Sequence, residues 1–396
     1  MSEAIENVGV VGLGVMGFDI ACLYAMKGCR TFVYDAAPAA MDSLSRRRDQ
    51  TIERLEKRQR ISASENENLR YLLIPVAELA AMSRCQLITE AVSENANTKL
   101  AVYRTLRETG FTGLLTTNTS SVTRSTLLRD GVVDSRRFAL THFFNPVLYT
   151  RMVEIVQGDI EPATGERLSN FLKALGRDPV ATQDISGFVS NGILMIYAVM
   201  ALRLLECGAR IEQVDRAAKE LKLLPPFISF DSWKPSIVED VTRVMRELRG
   251  DEFLRSSQLL TRLAESNPRF YVDQKPNAKI YELAGAQEST IDDTSIKRAL
   301  RTAMIVAAAR VAELGESPAV VDRVATEGIK MPQAPLKEID EQGAAVVLDE
   351  LAQTNRLLGN EPLAAPELLT AMAQQNEPFY KDQRANPWLR ARQTDR

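Results

Sequence analysis

The sequence predicts an α/β domain with a doubly wound, mainly parallel sheet, followed by two all-α domains related by an internal repeat. Three observations carry this prediction. Short apolar strands alternate with helical stretches in the first half. From about residue 188 the pattern is almost wholly helical, and blocks of that half recur about 107 residues apart. A chain of 396 residues exceeds one ordinary core. The predicted domains are therefore residues 1–186, 187–285 and 290–396.

A glycine-rich turn follows the first strand at once. The strand Val8–Val11 leads into Gly12-Leu13-Gly14-Val15-Met16-Gly17, then a helix to Gly28, a strand Thr31–Tyr34 and Asp35. Gly12 permits a tight turn, Gly14 lets the backbone approach a pyrophosphate, and Gly17 lets the helix pack on the strand. This order is typical of a dinucleotide-binding Rossmann domain. FAD shares the fingerprint, and a turn without a ligand is the alternative.

Asp35 indicates which dinucleotide binds. Its carboxylate can accept hydrogen bonds from both ribose hydroxyls, and it would repel the 2′-phosphate of NADP. Alanines follow it at positions 36 and 37, where an arginine would favour NADP. The sequence therefore predicts NAD as the cofactor.

Further strands are predicted at residues 86–90, 113–117, 138–141 and 152–156, continuing the parallel pattern. Residues 41–70 are strongly charged and helical in pattern, with Arg46-Arg47-Arg48 and Lys57-Arg58-Gln59-Arg60. Two interpretations stay open for this stretch. It is either a solvated helical hairpin or a basic clamp for a phosphate-bearing carrier, which would be CoA or a phosphopantetheine protein.

The helical half contains two copies of one pattern. The matching blocks are Glu206-Cys207-Gly208 with Glu313-Leu314-Gly315, Val214-Asp215-Arg216 with Val321-Asp322-Arg323, Asp231 with Asp340, and Phe270-Tyr271 with Phe379-Tyr380. An apolar helix is expected to start at Met195, and the stretch from about 272 to 291 is expected to connect the copies. Repetition at a fixed spacing predicts two related helical domains.

Composition excludes several classes of protein. The formal net charge of -3 argues against a nucleic-acid partner. No apolar run is long enough for a membrane span, and the N-terminus lacks a signal-peptide pattern, so a cytoplasmic protein is expected. Four cysteines without a Cys-x-x-Cys pair and a single histidine predict no metal site.

The single histidine, His142, stands at the end of a predicted strand, where ligand crevices of such sheets lie. Glu154 falls within the next, otherwise apolar strand, where a carboxylate needs a partner. A His–Glu pair could act as the base that takes a hydroxyl proton during hydride transfer. A structural histidine is the alternative. The turn at Asn118-Thr119-Ser120-Ser121 either caps a helix or binds a substrate oxygen, and Asn191 is a second candidate for such a contact.

Together these motifs resemble the 3-hydroxyacyl-CoA dehydrogenase family. The motifs are Gly12-x-Gly14-x-x-Gly17, Asp35, Thr89-Glu90-Ala91-Val92-x-Glu94-Asn95, Thr117-Asn118-Thr119-Ser120-Ser121, His142-Phe143-Phe144-Asn145-Pro146-Val147, Val153-Glu154 and Gly187-Phe188-x-x-Asn191. The repeat resembles the tandem C-terminal domains in multifunctional fatty-acid oxidation enzymes.

The resemblance implies NAD-dependent oxidation of a 3-hydroxyacyl thioester carried by CoA or an acyl carrier protein. His142 would be the general base oriented by Glu154, while Ser120 and Asn191 would bind the substrate oxygen. The residues implied to contact NAD are Gly12, Gly14, Gly17, Asp35, Glu90, Lys99 and Asn118. The family's short members dimerise through the helical domain, so two copies in one chain imply either a monomer or a homodimer.

The chain departs from the family pattern on the acyl side. Leu148-Tyr149-Thr150 stand where the family has Pro, a small residue and Met, and Gly192 stands where it has Arg. These departures predict a specialised acyl substrate, such as a short polar acyl group. The alternatives are a dehydrogenase of a free hydroxy acid and a non-catalytic NAD-binding protein.

Overall fold

The computed structural model describes residues 4–255, 258–285, 291–359, 362–381 and 384–386. The chain divides into two compact units, Met1–Asp184 and Ile185–Arg396. Each unit is described by itself.

The first unit is built on one eight-stranded sheet in the order β3-β2-β1-β4-β5-β6-β7-β8. The strands are β1 (Asn7–Val11), β2 (Arg30–Tyr34), β3 (Leu73–Pro75), β4 (Leu87–Glu90), β5 (Leu114–Thr117), β6 (Phe138–Phe143), β7 (Met152–Val156) and β8 (Asp178–Ala181). The predicted doubly wound, mainly parallel sheet is confirmed. The sequence pattern missed the two short edge strands β3 and β8.

One pair of strands breaks the parallel pattern. β7 runs antiparallel to β6, whereas all the other neighbouring pairs are parallel. The expectation that residues 152–156 continue the parallel pattern is therefore wrong. The connection from Phe144 to Arg151 is shorter than the dozen or so residues that a parallel crossover requires, so the chain can only turn back on itself.

Helices cover the sheet. They are α1 (Val15–Met26), α2 (Pro38–Asp42), α3 (Leu44–Lys57), α4 (Ala63–Leu72), α5 (Ala96–Glu108), α6 (Arg124–Leu128) and α7 (Pro162–Ala174). α1 is apolar and buried from Gly17 to Met26 except at the half-buried Asp19. The charged stretch 41–70 is helical as expected, and a capping box between Ser62 and Glu65 begins α4.

The second unit is helical apart from two short hairpins. Its helices are α8 (Ser190–Glu206), α9 (Ile211–Glu220), α10 (Pro226–Trp233), α11 (Pro235–Arg249), α12 (Gln258–Ser266), α13 (Ala278–Ala284), α14 (Asp293–Glu313), α15 (Pro318–Arg323), α16 (Pro335–Gln342), α17 (Ala344–Leu358) and α18 (Glu367–Gln375). The hairpins are β9 (Tyr271–Val272) with β10 (Lys275–Pro276), and β11 (Tyr380–Lys381) with β12 (Arg384–Ala385).

Two expectations for this unit need correction. The apolar helix α8 begins at Ser190, five residues before Met195, since the less apolar first turn hides its start from a hydrophobicity pattern. The stretch 272–291 is more than a connection, because it holds part of a hairpin and all of α13. Residues 286–290 of that stretch lie outside the described residues. No helix among the described residues is long and apolar enough to cross a membrane.

The internal repeat extends to the hydrogen bonds that hold each copy. In the first copy, Asp215 accepts from the Phe227 N–H at 2.9 Å and from the Tyr271 hydroxyl at 2.9 Å. In the second copy, Asp322 accepts from the Leu336 N–H at 2.8 Å and from the Tyr380 hydroxyl at 2.7 Å. Asp231 and Asp340 each accept from two successive N–H groups of their hairpins. The copies therefore share structure as well as sequence, and the largely buried helices α8 and α14 pack together.

Candidate active site

The glycines of the turn Gly12–Gly17 meet three different steric demands. Gly12 has φ +93°, and a Cβ on it would lie 2.7 Å from the Ala91 carbonyl group. A Cβ on Gly17 would overlap the carbonyl oxygen of Gly12. A Cβ on Gly14, by contrast, would meet no atom within 4 Å, so the turn is open on that side. An open face at the N-terminus of α1 fits the pyrophosphate of a dinucleotide.

Asp35 lies just after β2 and is half-buried. Its carboxylate accepts hydrogen bonds from the Leu13 N–H at 2.6 Å and the Ala37 N–H at 2.8 Å. The sequence placed Asp35 at the ribose of the dinucleotide. The structure adds that this carboxylate also anchors the second residue of the glycine turn.

Glu90 and Lys99 are both fully buried, and they bind each other at 3.0 Å. Glu90 also accepts hydrogen bonds from the Val92 N–H and from the hydroxyls of Tyr103 and Thr117, each at 2.7 Å. These side chains therefore tie the end of β4 to α5 and β5, which is a role inside the domain. Their contacts support the edge of the sheet from within.

Glu94 organises the loop after β5, and the sequence analysis gave it no role. Its Oε1 atom accepts hydrogen bonds from the Thr119 hydroxyl at 2.6 Å, the Ser120 N–H at 2.8 Å and the Ser121 N–H at 2.7 Å. Burial raises the pKa of Glu94, but the Lys99 ammonium and these hydrogen bonds outweigh it, so the pKa lies below its usual value. The signal was a second acid four residues after Glu90 in the same motif.

Asn118 links the ends of two neighbouring strands. Its Oδ1 atom accepts a hydrogen bond from the Phe143 N–H at 3.1 Å, and its own N–H donates to the Glu90 carbonyl at 2.7 Å. β5 and β6 are parallel neighbours, so the loop carrying the half-buried Ser120 and the end of β6 lie at one edge of the sheet. The structure thus brings Asn118, Ser120 and His142 together.

His142 and Glu154 form a buried pair across the antiparallel strands β6 and β7, where they are direct register partners. His142 Nδ1 lies 2.8 Å from Glu154 Oε2, and the two residues are 7% and 0% exposed. In the neutral imidazole, an Nδ1–H that donates to the carboxylate leaves the lone pair on Nε2. The pair can therefore hold a basic nitrogen in one tautomer and one orientation.

The loop Val147–Thr150, here called the acyl-side loop, is held by arginines. Arg177 donates hydrogen bonds to the carbonyls of Val147 and Thr150. The guanidinium groups of Arg58 and Arg60 lie 5.5 and 5.8 Å from the centre of the Tyr149 ring. The charged stretch after α3 therefore contacts the chain segment in which this sequence departs from the family pattern.

Asn191 belongs to the second unit, in the first turn of α8, whereas the other candidate site residues lie in the first unit. The glycine after it has a steric cause. A Cβ on Gly192 would lie 2.7 Å from Val311 Cγ2 and 3.1 Å from Arg249 Nη2. The Arg249 guanidinium thus occupies the space beside position 192, where the family has an arginine of its own.

Comparison with known proteins covers both units. Residues 7–185 match the model of the 3-hydroxyacyl-CoA dehydrogenase NAD binding domain. Residues 187–282 and 296–385 each match the model of the 3-hydroxyacyl-CoA dehydrogenase C-terminal domain. The family models thus recognise the helical pattern twice.

Individual relatives agree with this assignment. The 3-hydroxybutyryl-CoA dehydrogenase of Mycobacterium tuberculosis is 34% identical over 222 residues, which are 55% of this chain and 77% of the relative. The 3-hydroxyadipyl-CoA dehydrogenase of Escherichia coli K12 is 33% identical over 220 residues, 54% of this chain and 45% of the relative. The crystal structure of 3-hydroxybutyryl-CoA dehydrogenase from E. coli K12 shares the fold, with a TM-score of 0.75 at 21% identity over 94% of this chain and 99% of that chain.

The matched domains span nearly the whole chain, and they follow the order that the sequence motifs predict. The prediction of NAD as cofactor is confirmed. The chain therefore belongs to the 3-hydroxyacyl-CoA dehydrogenase family and is an NAD-dependent oxidoreductase.

Proposed function

We propose that the protein oxidises a 3-hydroxyacyl thioester to the 3-oxoacyl thioester, with His142 as the general base and Glu154 as the residue that orients it. The single observation that carries this proposal is the buried 2.8 Å pair between His142 Nδ1 and Glu154 Oε2. It lies at the edge of the sheet to which the glycine turn also belongs.

The chemistry follows from the tautomer that the pair favours. Glu154 accepts the Nδ1 proton, so Nε2 is the atom that takes the proton of the substrate hydroxyl. NAD supplies the acceptor for the hydride that leaves C3 of the acyl group. The Ser120 hydroxyl binds the substrate oxygen at C3 and keeps it within reach of His142. Asn191, in the second unit, stays a predicted contact of the same oxygen.

The glycine turn and Asp35 hold the cofactor. The backbone near Gly14 would hold the pyrophosphate, since that face is open, and Asp35 would accept hydrogen bonds from the ribose hydroxyls. Asn118 stands beside both the turn after β4 and the end of β6, which suits a contact with the nicotinamide end. Glu90 and Lys99, which the resemblance implies as further NAD contacts, also hold the strand ends that carry these groups.

The substrate is a short polar acyl group on CoA or an acyl carrier protein. Two relatives act, by their names, on 3-hydroxybutyryl-CoA and 3-hydroxyadipyl-CoA, so the family handles short acyl groups with and without a polar end. Tyr149 supports the polar choice, because its hydroxyl is buried and has no hydrogen-bond partner among the described residues. Arg58 and Arg60 next to it carry the charge that a phosphate-bearing carrier needs. A free hydroxy acid, the second candidate, would make no use of that charge.

The repeat supports a proposal on domains and assembly. Residues 187–285 and 290–396 are two helical domains, and α8 of the first packs on α14 of the second. Both copies lie in one chain, so the contact that short relatives make between two chains is available within a monomer. Sedimentation at micromolar concentration would separate this monomer from the homodimer.

Substitution of the base tests the proposed reaction. We expect His142→Gln to lower kcat about 1000-fold, because a general base contributes two to four orders of magnitude. NADH affinity, measured by fluorescence titration, should stay within about twofold, since the histidine lies beyond the glycine turn. Arg136→Gln, at an exposed position, is the matched control. Turnover retained in His142→Gln would contradict the general-base role.

A substrate panel tests the acyl group and the carrier. Purified protein is assayed with 3-hydroxybutyryl-CoA, longer 3-hydroxyacyl-CoA thioesters, 3-hydroxyadipyl-CoA, the same acyl groups on an acyl carrier protein, and free 3-hydroxy acids. The expected result is the highest kcat/KM with a short polar acyl thioester. The highest kcat/KM with plain 3-hydroxybutyryl-CoA or longer chains would refute the specialised substrate. Activity confined to free acids would favour the second candidate.

A further inference from the structure

The side chain of Arg47, in α3, binds the backbone of the glycine turn. Arg47 Nη1 donates a hydrogen bond to the Leu13 carbonyl at 2.6 Å, and Nη2 donates to the Gly14 carbonyl at 3.1 Å. One planar guanidinium therefore holds two successive carbonyl groups of the turn. No motif in the sequence marks Arg47 for this role.

Because peptide groups are planar, these two hydrogen bonds also set the direction of two N–H groups. In a planar trans peptide, the C=O of one residue and the N–H of the next point in opposite directions. Holding the carbonyls of Leu13 and Gly14 toward Arg47 turns the N–H groups of Gly14 and Val15 away from it. Gly14 is the N-cap of α1, so these N–H groups belong to the helix terminus.

The two N–H groups that precede them in the turn are already used. The Gly12 N–H donates to the Tyr34 carbonyl at 2.9 Å. The Leu13 N–H donates to Asp35 at 2.6 Å. Arg47 and Asp35 therefore fix the Leu13 residue at both its carbonyl and its N–H. The N–H groups of Gly14 and Val15 are left for an anion, and the face of Gly14 has no atom within 4 Å of a Cβ position.

Arg47 is itself held in place. It stands three residues after Leu44 and four before Thr51, both of which α3 buries, so it lies on the inward face of that helix. Its guanidinium carbon lies 4.0 Å from the centre of the Phe18 ring, and Phe18 is buried. Burial lowers the pKa of Arg47 below its usual value, and the nearby Asp19 and Asp35 carboxylates offset only part of this. Arginine stays charged near neutral pH, so the turn also gains a positive field.

We propose that Arg47 is a positioning residue for NAD, which presents the Gly14 and Val15 N–H groups to the pyrophosphate by holding the carbonyls behind them. This role of Arg47 lies outside the proposed reaction, because it rests on NAD binding and is independent of the roles of His142 and Glu154.

Binding of NADH tests the proposal without any acyl substrate. We expect Arg47→Ala to raise the Kd of NADH about tenfold, the loss expected when a charged contact that organises a site is removed. Arg47→Lys should raise it by a smaller factor, because an ammonium group cannot bridge two carbonyls in one plane. The exposed neighbour Arg46→Ala is the matched control and should bind as wild type. Wild-type affinity in both Arg47 variants would overturn the proposal.

Fragments of the cofactor separate positioning from general damage. ADP-ribose contains the pyrophosphate and should lose about the same factor as NADH, whereas adenosine should lose none. In steady state, KM for NAD should rise while kcat and KM for the acyl thioester stay within about twofold. Equal losses for ADP-ribose and adenosine would contradict the proposal. If Arg47→Ala is unfolded at 25 °C, Arg47→Lys is used instead. The same two comparisons then apply: ADP-ribose against adenosine, and KM for NAD against kcat and KM for the acyl thioester.

Discussion

The glycine turn after β1 and the acyl-side loop after β6 both follow strands that end at the same edge of the sheet. In both segments an arginine binds carbonyl groups, but the remaining contacts differ. The turn depends on glycines whose replacement would meet backbone atoms, and on two side chains, Asp35 and Arg47, that bind its peptide groups. The loop depends on long side chains, with Arg177 on its carbonyls and Arg58 and Arg60 beside Tyr149.

Under the proposed function, the difference follows from what each segment recognises. The pyrophosphate of NAD is the same whichever acyl substrate is oxidised. Backbone N–H groups at fixed positions therefore suffice to bind it, and nearly any side chain there would interfere. An acyl group varies, and side chains are the atoms that can vary with it. This comparison predicts that changes in the turn affect the cofactor, and that changes in the loop affect the choice of substrate.

The comparison places the largest of these effects at Glu154, the proposed orienting residue of His142. Glu154→Gln should lower kcat about 100-fold, because a buried amide holds the imidazole in a less suitable tautomer. KM for NAD should change little. Stopped-flow measurement of NADH formation gives the chemical step directly. An unchanged rate would mean that His142 needs no orienting carboxylate.

The sequence predicted the parts of this site that depend on local order along the chain. The glycine turn follows its strand directly, and Asp35 follows the next, so the order alone identified them. His142 and Glu154 were paired because an acid in an apolar strand needs a partner. The antiparallel register of β6 and β7 fulfils that need, although the antiparallel direction itself was not predicted.

The contacts that the sequence did not predict are hydrogen bonds between residues that lie far apart along the chain. The contact of Glu90 and Lys99 with NAD stays a prediction. The sequence did not predict that the hydroxyls of Tyr103 and Thr117, from α5 and β5, bind Glu90. Glu94 holds the Ser120 loop across 26 residues of chain. The hydrogen bond from Arg47 to the Leu13 carbonyl likewise spans 34 residues. Contacts at such separations follow from the packing of α3, α5 and β5, which hydrophobic periodicity does not specify.

The comparison predicts that a substitution in the glycine turn weakens NADH binding and leaves the KM for the acyl thioester unchanged. Gly17→Ala should raise the Kd of NADH about 30-fold, because its Cβ overlaps the Gly12 carbonyl and the turn must open. KM for the acyl thioester should stay within about twofold. Gly131→Ala is the control, as a glycine at positive φ with open space around it. Similar losses of NADH affinity in both variants would point to a general cost of replacing glycine.

A substitution in the acyl-side loop gives the converse test. Tyr149→Phe removes one buried hydroxyl that has no hydrogen-bond partner among the described residues. We expect the ratio of kcat/KM for polar over plain acyl thioesters to fall about tenfold, as for one lost hydrogen bond to substrate. NADH affinity should not change. An unchanged ratio, with the protein more stable by about 1 kcal/mol, would make the hydroxyl a packing feature only.

The smallest expected effect concerns Glu94, which lies after β4 and holds the Ser120 loop after β5. Its pKa in the folded protein lies below the usual 4.5, owing chiefly to Lys99 and the hydrogen bonds from Thr119, Ser121 and Ser120, which outweigh burial. The unfolded chain therefore binds the proton more readily than the folded protein. The stabilisation is complete above pH 4.5 and is lost as the pH falls through the lower folded value.

Glu94→Gln should lack this pH dependence. In urea unfolding at pH 7, we expect its free energy of unfolding to be about 1 kcal/mol lower than that of the wild type. This difference should narrow below pH 4.5. Glu108→Gln, an exposed acid at the end of α5, is the control and should follow the wild type. A gap that stays constant with pH would mean that Glu94 stabilises the loop by shape and neutral hydrogen bonds. The carboxylate charge would then play no part in holding Ser120 near His142.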